Sequence, residues 1–197
     1  MSEYLLQTRG LTKQYGRHKA VENVDIHVKK GAIYGFIGRN GAGKSTCLKM
    51  VSGLSRPTAG EIEFFGYSGK ELKDLRSRIG CLIEMPGLYG NMTAYQNLKI
   101  KCEMLGINKK GYVEDILKTV GMEKTGRKKT KHFSLGMKQR LGIACALMEC
   151  PDLILLDEPI NAIDEKGVPK IWEALQEEKQ RGALIVLACH DTEELTS

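Results

Sequence analysis

The chain has no long hydrophobic run. Its longest apolar stretches, Leu153 to Leu156 and Ala183 to Cys189, are far shorter than the roughly 20 residues that a membrane-spanning helix needs. Residues 1–4 lack a basic segment followed by an apolar one, so no signal peptide is visible. These absences predict a cytoplasmic protein.

Closely grouped cysteines are also absent. The six cysteines are scattered, with no CxxC pair and no accompanying histidine spacing. A disulfide framework or a zinc site would need closer grouping, and we therefore interpret all six thiols as reduced.

Aromatic residues are scarce, at 6% of the chain, and none interrupts its most basic segment. This segment contributes much of the net charge of +6 and consists of Lys124, Arg127, Lys128, Lys129 and Lys131. Proteins that bind single-stranded nucleic acid usually stack bases on aromatic side chains. We interpret the segment as a solvated loop and expect no nucleic acid partner.

Hydrophobic periodicity predicts strands toward both ends of the chain. Val24, Ile26 and Val28 alternate with polar residues, as do Ile62 and Phe64, which is typical of half-buried strands in an antiparallel sheet. Short apolar runs indicate three buried strands, at residues 32–37, 153–156 and 183–188.

The middle of the chain is mostly helical in pattern. Thr93 can cap a helix that Gly106 ends, and residues 112–120 predict a second helix. Ser134 can cap a third, whose apolar face is expected to be Leu141, Ala144, Cys145 and Met148. With a later helix at 168–181, the pattern predicts a single α/β domain, 1–197, whose core (1–85 and 151–197) carries an antiparallel β part and an inserted helical part (86–150).

A phosphate-binding loop is predicted where the first buried strand meets a helix. Gly38-x4-Gly43-Lys44-Ser45 matches the Walker A pattern. Its glycines let backbone N–H groups turn toward phosphate oxygens, and the helix start favours the same anion. Lys44 supplies a charge to the terminal phosphates, and the Ser45 hydroxyl can bind Mg2+. An ordinary glycine turn is the alternative, and the preceding strand argues against it.

Two carboxylates end the apolar run Leu153 to Leu156. Asp157 can hold Mg2+, usually through water, and Glu158 can orient or deprotonate the water that attacks the γ-phosphate. An acidic strand end is common by itself. Together with the phosphate loop, it predicts a Walker B motif.

With these motifs in order, the whole chain resembles the ATP-binding cassette (ABC) ATPase family, a P-loop NTPase fold. Tyr15 matches the residue that stacks on adenine, Ser134 to Arg140 resembles the family signature, Asn161 to Asp164 the D-loop, and His190 the switch histidine. The resemblance implies ATP and Mg2+ as cofactors. It also implies a head-to-tail dimer, because the signature helix start faces the ATP of a second cassette.

The predicted site residues fall into three groups. The catalytic residues are Glu158, His190 and Lys44. The nucleotide contacts are Tyr15, Gly38, Asn40, Gly41, Ala42, Gly43, Lys44, Ser45, Thr46, Glu84, Ser134 and Gly136. The metal ligands are Ser45, Asp157 and Glu84.

Two departures from the family pattern narrow the resemblance. Leu135 and Met137 replace the commoner glycine and glutamine of the signature, and Glu84 stands where most members have the Q-loop glutamine. Both variants resemble the ATPase subunits of bacterial exporters of bacitracin- and lantibiotic-type peptide antibiotics. The resemblance implies that Glu84 adds negative charge beside the phosphates, where the usual glutamine contacts the γ-phosphate.

The resemblance implies an exporter subunit that works through a separate membrane permease, held at the inner face of the membrane. The permease is expected to contact the helical part near residues 84–95. Family members usually continue beyond the switch histidine, so we expect that the sequence is truncated near Ser197. Two alternatives remain open, a soluble ABC ATPase acting on ribosomes or DNA and an ATP sensor that does not hydrolyse. The interval between Lys44 and Ser134 is too short for the long coiled coil of DNA-repair members.

Overall fold

The strands of the protein form two four-stranded sheets. The structure is a computed structural model that describes residues 4–148 and 150–190. In chain order the elements are β1 (Tyr4–Tyr15), β2 (His18–Lys29), β3 (Ile33–Ile37), α1 (Lys44–Val51), β4 (Ala59–Phe64), β5 (Tyr67–Ser68), β6 (Ile79–Leu82), α2 (Ala94–Leu105), α3 (Tyr112–Thr119), α4 (Leu135–Leu147), β7 (Leu153–Asp157), α5 (Val168–Arg181) and β8 (Leu184–Cys189).

One sheet is antiparallel and the other is parallel. The antiparallel sheet has the order β2-β1-β4-β5, and the parallel sheet has the order β3-β8-β7-β6. Thr8 on β1 lies opposite Ile26 on β2 and Ile62 on β4, so the alternating residues of these strands share one face. The predicted α/β class with an antiparallel β part is confirmed.

The parallel sheet separates two hydrophobic clusters. Leu153 and Leu155 of β7 pack with α1 and the antiparallel sheet. Ile154 and Leu156 point the other way, into a cluster with α2 to α5. Because both faces are covered, residues 153–156 of β7 are a continuous apolar run without polar alternation.

Two helices begin at the predicted caps. The Thr93 side chain accepts a hydrogen bond from the backbone N–H of Gln96, and the Gln96 side-chain oxygen accepts one from the backbone N–H of Thr93. Ser134 accepts one from the N–H of Met137 at 3.2 Å. Each cap satisfies backbone donors that the first helical turn leaves without partners.

The prediction of a single apolar face on α4 is incomplete. Leu141, Ala144 and Met148 are buried as expected, but Gly142 and Ile143 are buried too. The helix is enclosed because it packs on β6 and β7 and also against α2 and α3. A Cβ on Gly142 would lie 2.8 Å from side-chain carbons of Leu82 and Pro86, so the close approach of α4 to β6 requires this glycine.

The cysteines fit the interpretation as reduced thiols, since all six are free. Burial raises the pKa of the Cys47 thiol to about 11, so it is protonated at neutral pH. Within residues 4–148 and 150–190, no helix combines the length and apolarity needed to cross a bilayer.

Candidate functional site

All four strands of the parallel sheet place a predicted site residue at or just after their carboxyl ends. The phosphate loop follows β3, and Glu84 lies two residues after β6. Asp157 ends β7 with Glu158 next to it, and His190 follows β8. Ligands of α/β sheets bind at this edge, so the topology brings these separate segments of the sequence together.

The phosphate loop has the backbone conformation that its glycines allow. Gly41 and Gly43 have φ angles of 81° and 88°, in the left-handed region that other residues avoid. A Cβ on Gly43 would lie 2.3 Å from the carbonyl oxygen of Ala20, so this position also has no space for a side chain. Helix α1 begins directly afterwards, with its N–H groups at the loop.

Lys44 is held inside the loop. It is only 7% exposed, and its ammonium group donates hydrogen bonds to the carbonyl oxygens of Gly38 and Arg39, the latter at 3.3 Å. Asn40 and Ala42 are exposed, and Thr46 is half-buried in the first turn of α1. The loop thus keeps one charged donor in place beside its exposed backbone.

Asp157 is a nearly buried carboxylate, 8% exposed. Burial is the main cause that raises its pKa, and the negative charges of Glu158 and Glu84 raise it further. A hydrogen bond with Ser45 and the charge of Lys44 act in the opposite direction. The two predicted metal ligands Ser45 and Asp157 therefore lie in direct contact.

Glu158 has both of its carboxylate oxygens held. His190 Nε2 lies 2.7 Å from Oε1, and the Asn161 side-chain amide donates to Oε2 at 3.1 Å. The backbone of Glu158 is in the left-handed region, with φ at 48°, and its N–H donates to Ala188 on β8. The side chain therefore has a fixed direction at the end of β7.

Glu84 is also in the left-handed region, with φ at 62°. Its carboxylate accepts a hydrogen bond from the ammonium group of Lys49, on the second turn of α1. The predicted Q-loop residue is thus joined to the helix that begins at the phosphate loop.

The remaining predicted site residues are Tyr15, Ser134 and Gly136. Tyr15, at the end of β1, is 52% exposed with Lys13 Nζ 5.0 Å from its ring centroid. Gly136 lies against the Ala162 carbonyl, where a Cβ would approach to 2.1 Å. Among the described residues, no hydrogen bond joins Ser134 or Gly136 to the phosphate loop.

Comparison with known proteins identifies the family. The family model described as "ABC transporter" matches residues 21–161, which is more than half of the chain. The chain belongs to the ABC transporter family.

Curated relatives of this ABC chain include transport ATP-binding proteins. It is 44% identical over 97% of its length to the bacitracin transport ATP-binding protein BcrA of Bacillus licheniformis. It is 41% identical over 94% of its length to the lantibiotic transport ATP-binding protein SrtF of Streptococcus pyogenes. The chain spans 63% of the length of the first relative and 80% of the second.

Solved ABC structures share the fold. One, the ATP-binding subunit of an ABC transporter, superposes with a TM-score of 0.85 at 31% identity, covering 96% of this chain and 80% of its own. A second is a dimeric ATP-binding cassette in a post-hydrolysis state with ADP and Pi. It superposes with a TM-score of 0.83 at 27% identity, covering 96% of this chain and 89% of its own.

The oxygen donors at the proposed site of this ABC chain fit a magnesium ion whose other ligands are phosphates and water. In the part of the chain that the structure describes, no three His, Cys, Asp or Glu side chains are grouped as a metal cluster. Ser45 and Asp157 supply two hard oxygen donors in contact. Mg2+ usually takes one or two protein ligands together with substrate phosphates and several waters, so this pair is sufficient.

Two contacts of the cassette were not predicted from the sequence. Lys49 pairs with Glu84, and Gln139 donates its side-chain amide to the backbone carbonyl of Glu158 at 3.1 Å. Gln139 is 7% exposed on α4, and a buried polar side chain in a helix is a signal that something binds it. Nothing in the local pattern around Lys49 distinguishes it from other helix-surface lysines.

Proposed function

We propose that the chain binds and hydrolyses Mg-ATP as the cassette subunit of an exporter, with a separate permease and peptide antibiotics as the cargo class. The family and the transport relatives support this proposal. The main support for the ATPase assignment is that four side chains lie at the carboxyl edge of one parallel sheet: Lys44, Asp157, Glu158 and His190.

In the proposed reaction, each site residue has one role in binding ATP or Mg2+. Lys44 exchanges its carbonyl partners for the terminal phosphate oxygens of ATP, and the loop N–H groups bind the same phosphates. Ser45 and Asp157 would hold Mg2+, which neutralises charge on the phosphates. The proposed stacking of adenine on Tyr15 fixes the base.

Glu158 is the proposed general base. A water oxygen attacks the γ-phosphorus, the bond to the ADP oxygen breaks, and the water proton passes to the Glu158 carboxylate. The contacts of His190 and Asn161 with that carboxylate hold it in one direction, and His190 is also proposed to contact the γ-phosphate. The presence of these groups favours hydrolysis over ATP sensing alone.

A second cassette completes the proposed site. Ser134 and Gly136 begin α4 and, among the described residues, make no hydrogen bond to their own phosphate loop, which fits contact with ATP held by another copy. Glu84 is proposed to bind the metal or order water in place of the usual glutamine.

The proposed permease surface lies beside Glu84. Large apolar side chains are exposed there, with Met85 64%, Tyr89 54% and Tyr95 40% exposed, and clustered exposed apolar groups mark interaction sites. This contact would place the chain in the cytoplasm at the inner face of the membrane. No nucleic acid partner is proposed.

The first test is a pull-down with a Glu158→Gln variant of the full-length protein. This variant should bind Mg-ATP but hydrolyse it about 10²- to 10⁴-fold more slowly, because the general base is lost. The tagged variant is recovered from detergent-solubilised native membranes with Mg-ATP and examined by mass spectrometry. A polytopic membrane protein in stoichiometric amount is the expected result.

Lys44→Ala is the matched control, since loss of ATP affinity should remove any partner that depends on the ATP-bound state. Recovery of ribosomal or DNA-bound proteins without a permease would overturn the exporter proposal and favour the soluble ATPase. Full turnover by Glu158→Gln would overturn the role given to Glu158.

A further inference from the structure

The Lys49–Glu84 ion pair joins the helix of the phosphate loop to the segment after β6. Lys49 lies on α1, which begins at Lys44, and its side chain is 31% exposed. The Glu84 side chain is 62% exposed and accepts its hydrogen bond from Lys49 Nζ. The pair is therefore open to water and to exchange of partners.

Negative charge is concentrated around the proposed metal site. Glu84 lies close enough to Asp157 to raise the pKa of that carboxyl, and Glu158 acts on it in the same way. Lys44 offsets part of this charge, but its ammonium group already donates to Gly38 and Arg39. Lys49 is the cation that neutralises Glu84 directly.

We propose that Lys49 is a positioning residue that competes with Mg2+ for the Glu84 carboxylate. While the pair is closed, Glu84 is neutralised and held on α1. When Mg-ATP binds, Glu84 exchanges Lys49 for the metal or its water. This inference rests on the proposed function, because it requires Mg2+ and ATP at Ser45 and Asp157.

The competition has a consequence for the neighbouring surface. Residues 84–95 include the exposed apolar side chains proposed to meet the permease. When Glu84 exchanges Lys49 for the metal or its water, the first residue of this segment is no longer bound to α1. The Lys49 charge is then left without its partner beside the same surface.

The test is a double-mutant cycle on the full-length protein with Lys49→Met and Glu84→Gln, singly and together. Methionine keeps the aliphatic length of lysine without its charge. The readout is the Mg2+ concentration that half-saturates binding of a fluorescent ATP analogue, which does not depend on turnover. Pairs this exposed shift an equilibrium by only about two- to fivefold.

With Glu84 present, Lys49→Met should lower the half-saturating Mg2+ concentration by about two- to fivefold, because the competing cation is gone. In the Glu84→Gln background the same change should have no effect. Lys49→Arg, which keeps a cation, should retain the wild-type Mg2+ dependence.

Two results would overturn the inference. An equal shift in both backgrounds would mean that Lys49 acts only by long-range repulsion of the metal, and no shift in either would make the pair a surface contact alone. Failure of the wild-type protein to bind the ATP analogue at any Mg2+ concentration would instead overturn the proposed function, so the two failures are distinguishable.

Discussion

Asp157 shows how the proposed site conflicts with the stability of the fold. Its carboxylate is nearly buried at the end of β7, and its pKa is raised by burial and by the neighbouring carboxylates Glu158 and Glu84. A carboxyl whose pKa is higher in the folded than in the unfolded protein reduces stability when it is ionised. The cost is fully present above the folded-state pKa and disappears as the pH falls toward the unfolded value.

We predict that Asp157→Asn raises the Tm of the nucleotide-free protein at neutral pH. Asparagine removes the buried negative charge but can still accept a hydrogen bond from Ser45. The gain over wild type should shrink as the pH is lowered, because the wild-type carboxyl then becomes protonated. Thermal melts from neutral pH down to the ordinary carboxyl pKa of 3.8 measure this difference.

The same variant should lose most of the increase in Tm that Mg-ATP gives the wild type, since ligand stabilisation depends on affinity. Asp152→Asn is a matched control, because that carboxylate pairs with Arg78 directly before the first residue of β7, at the end of the strand opposite Asp157. A clear drop in the Tm of nucleotide-free Asp157→Asn at neutral pH would show instead that the carboxylate stabilises the fold.

At the residue scale, the sequence pointed to single side chains but not to the pairs that they form. The acidic end of an apolar run predicted Asp157 and Glu158, and the family resemblance identified His190; the structure has all three at or just after the carboxyl ends of β7 and β8. The sequence could not predict that Lys49 meets Glu84 or that Gln139 meets Glu158. These contacts join elements whose relative position is set by packing of the whole sheet.

Among the elements, residues 129–131 form a clamp on the loop that precedes α2. Thr130 is 1% exposed, and its hydroxyl donates to the Tyr89 carbonyl at 2.9 Å. Its N–H donates to Met92, and Thr93 and Lys129 form a short β-bridge. The clamp connects the loop that follows Glu84 to the segment that leads into Ser134.

We predict that Thr130→Val loosens this clamp. Valine keeps the shape of threonine but removes one hydrogen bond worth about 1 kcal/mol. Local opening should then make the amides of residues 89–93 and 129–131 exchange about fivefold faster. Hydrogen exchange measured by mass spectrometry tests this, and Thr130→Ser is the control because it keeps the hydroxyl. Equal exchange in all three proteins would mean that the backbone bonds alone hold the clamp.

The helices that begin at a capping residue or end at a glycine had the most predictable boundaries. The caps Thr93 and Ser134 fix where α2 and α4 begin, and the glycine after Arg181 ends α5, so these boundaries follow from nearby chemistry. The enclosure of α4 was missed because a helix covered by β6, α2 and α3 needs no polar face. The division into a core and a helical part stays a prediction, and its predicted core range 1–85 and 151–197 includes residues 1–3 and 191–197, which lie outside the described part.

For the whole molecule, the main question is whether the proposed ATP site is completed by the signature of the same chain or by that of a second copy. The signature start at Ser134 and the phosphate loop lie in different parts of one chain, and a head-to-tail dimer would bring them together across an interface. Ser134→Asp keeps a good helix cap but places a negative charge where the partner's phosphates would bind. Ser134→Asn keeps the cap without the charge and serves as the control.

We predict that Ser134→Asp and Lys44→Ala each abolish ATPase activity alone and restore part of it when mixed. In a mixed dimer, the intact phosphate loop of the first variant meets the intact signature of the second, so one of the two sites is complete. Random pairing of equal amounts makes about half of the dimers mixed, which limits the recovery to about a quarter of wild type. Steady-state ATPase assays across mixing ratios measure the recovery, with a maximum expected near equal amounts. If each chain instead completed its own site, every mixture would remain as inactive as its components, and the signature would have to act on the phosphate loop of the same copy.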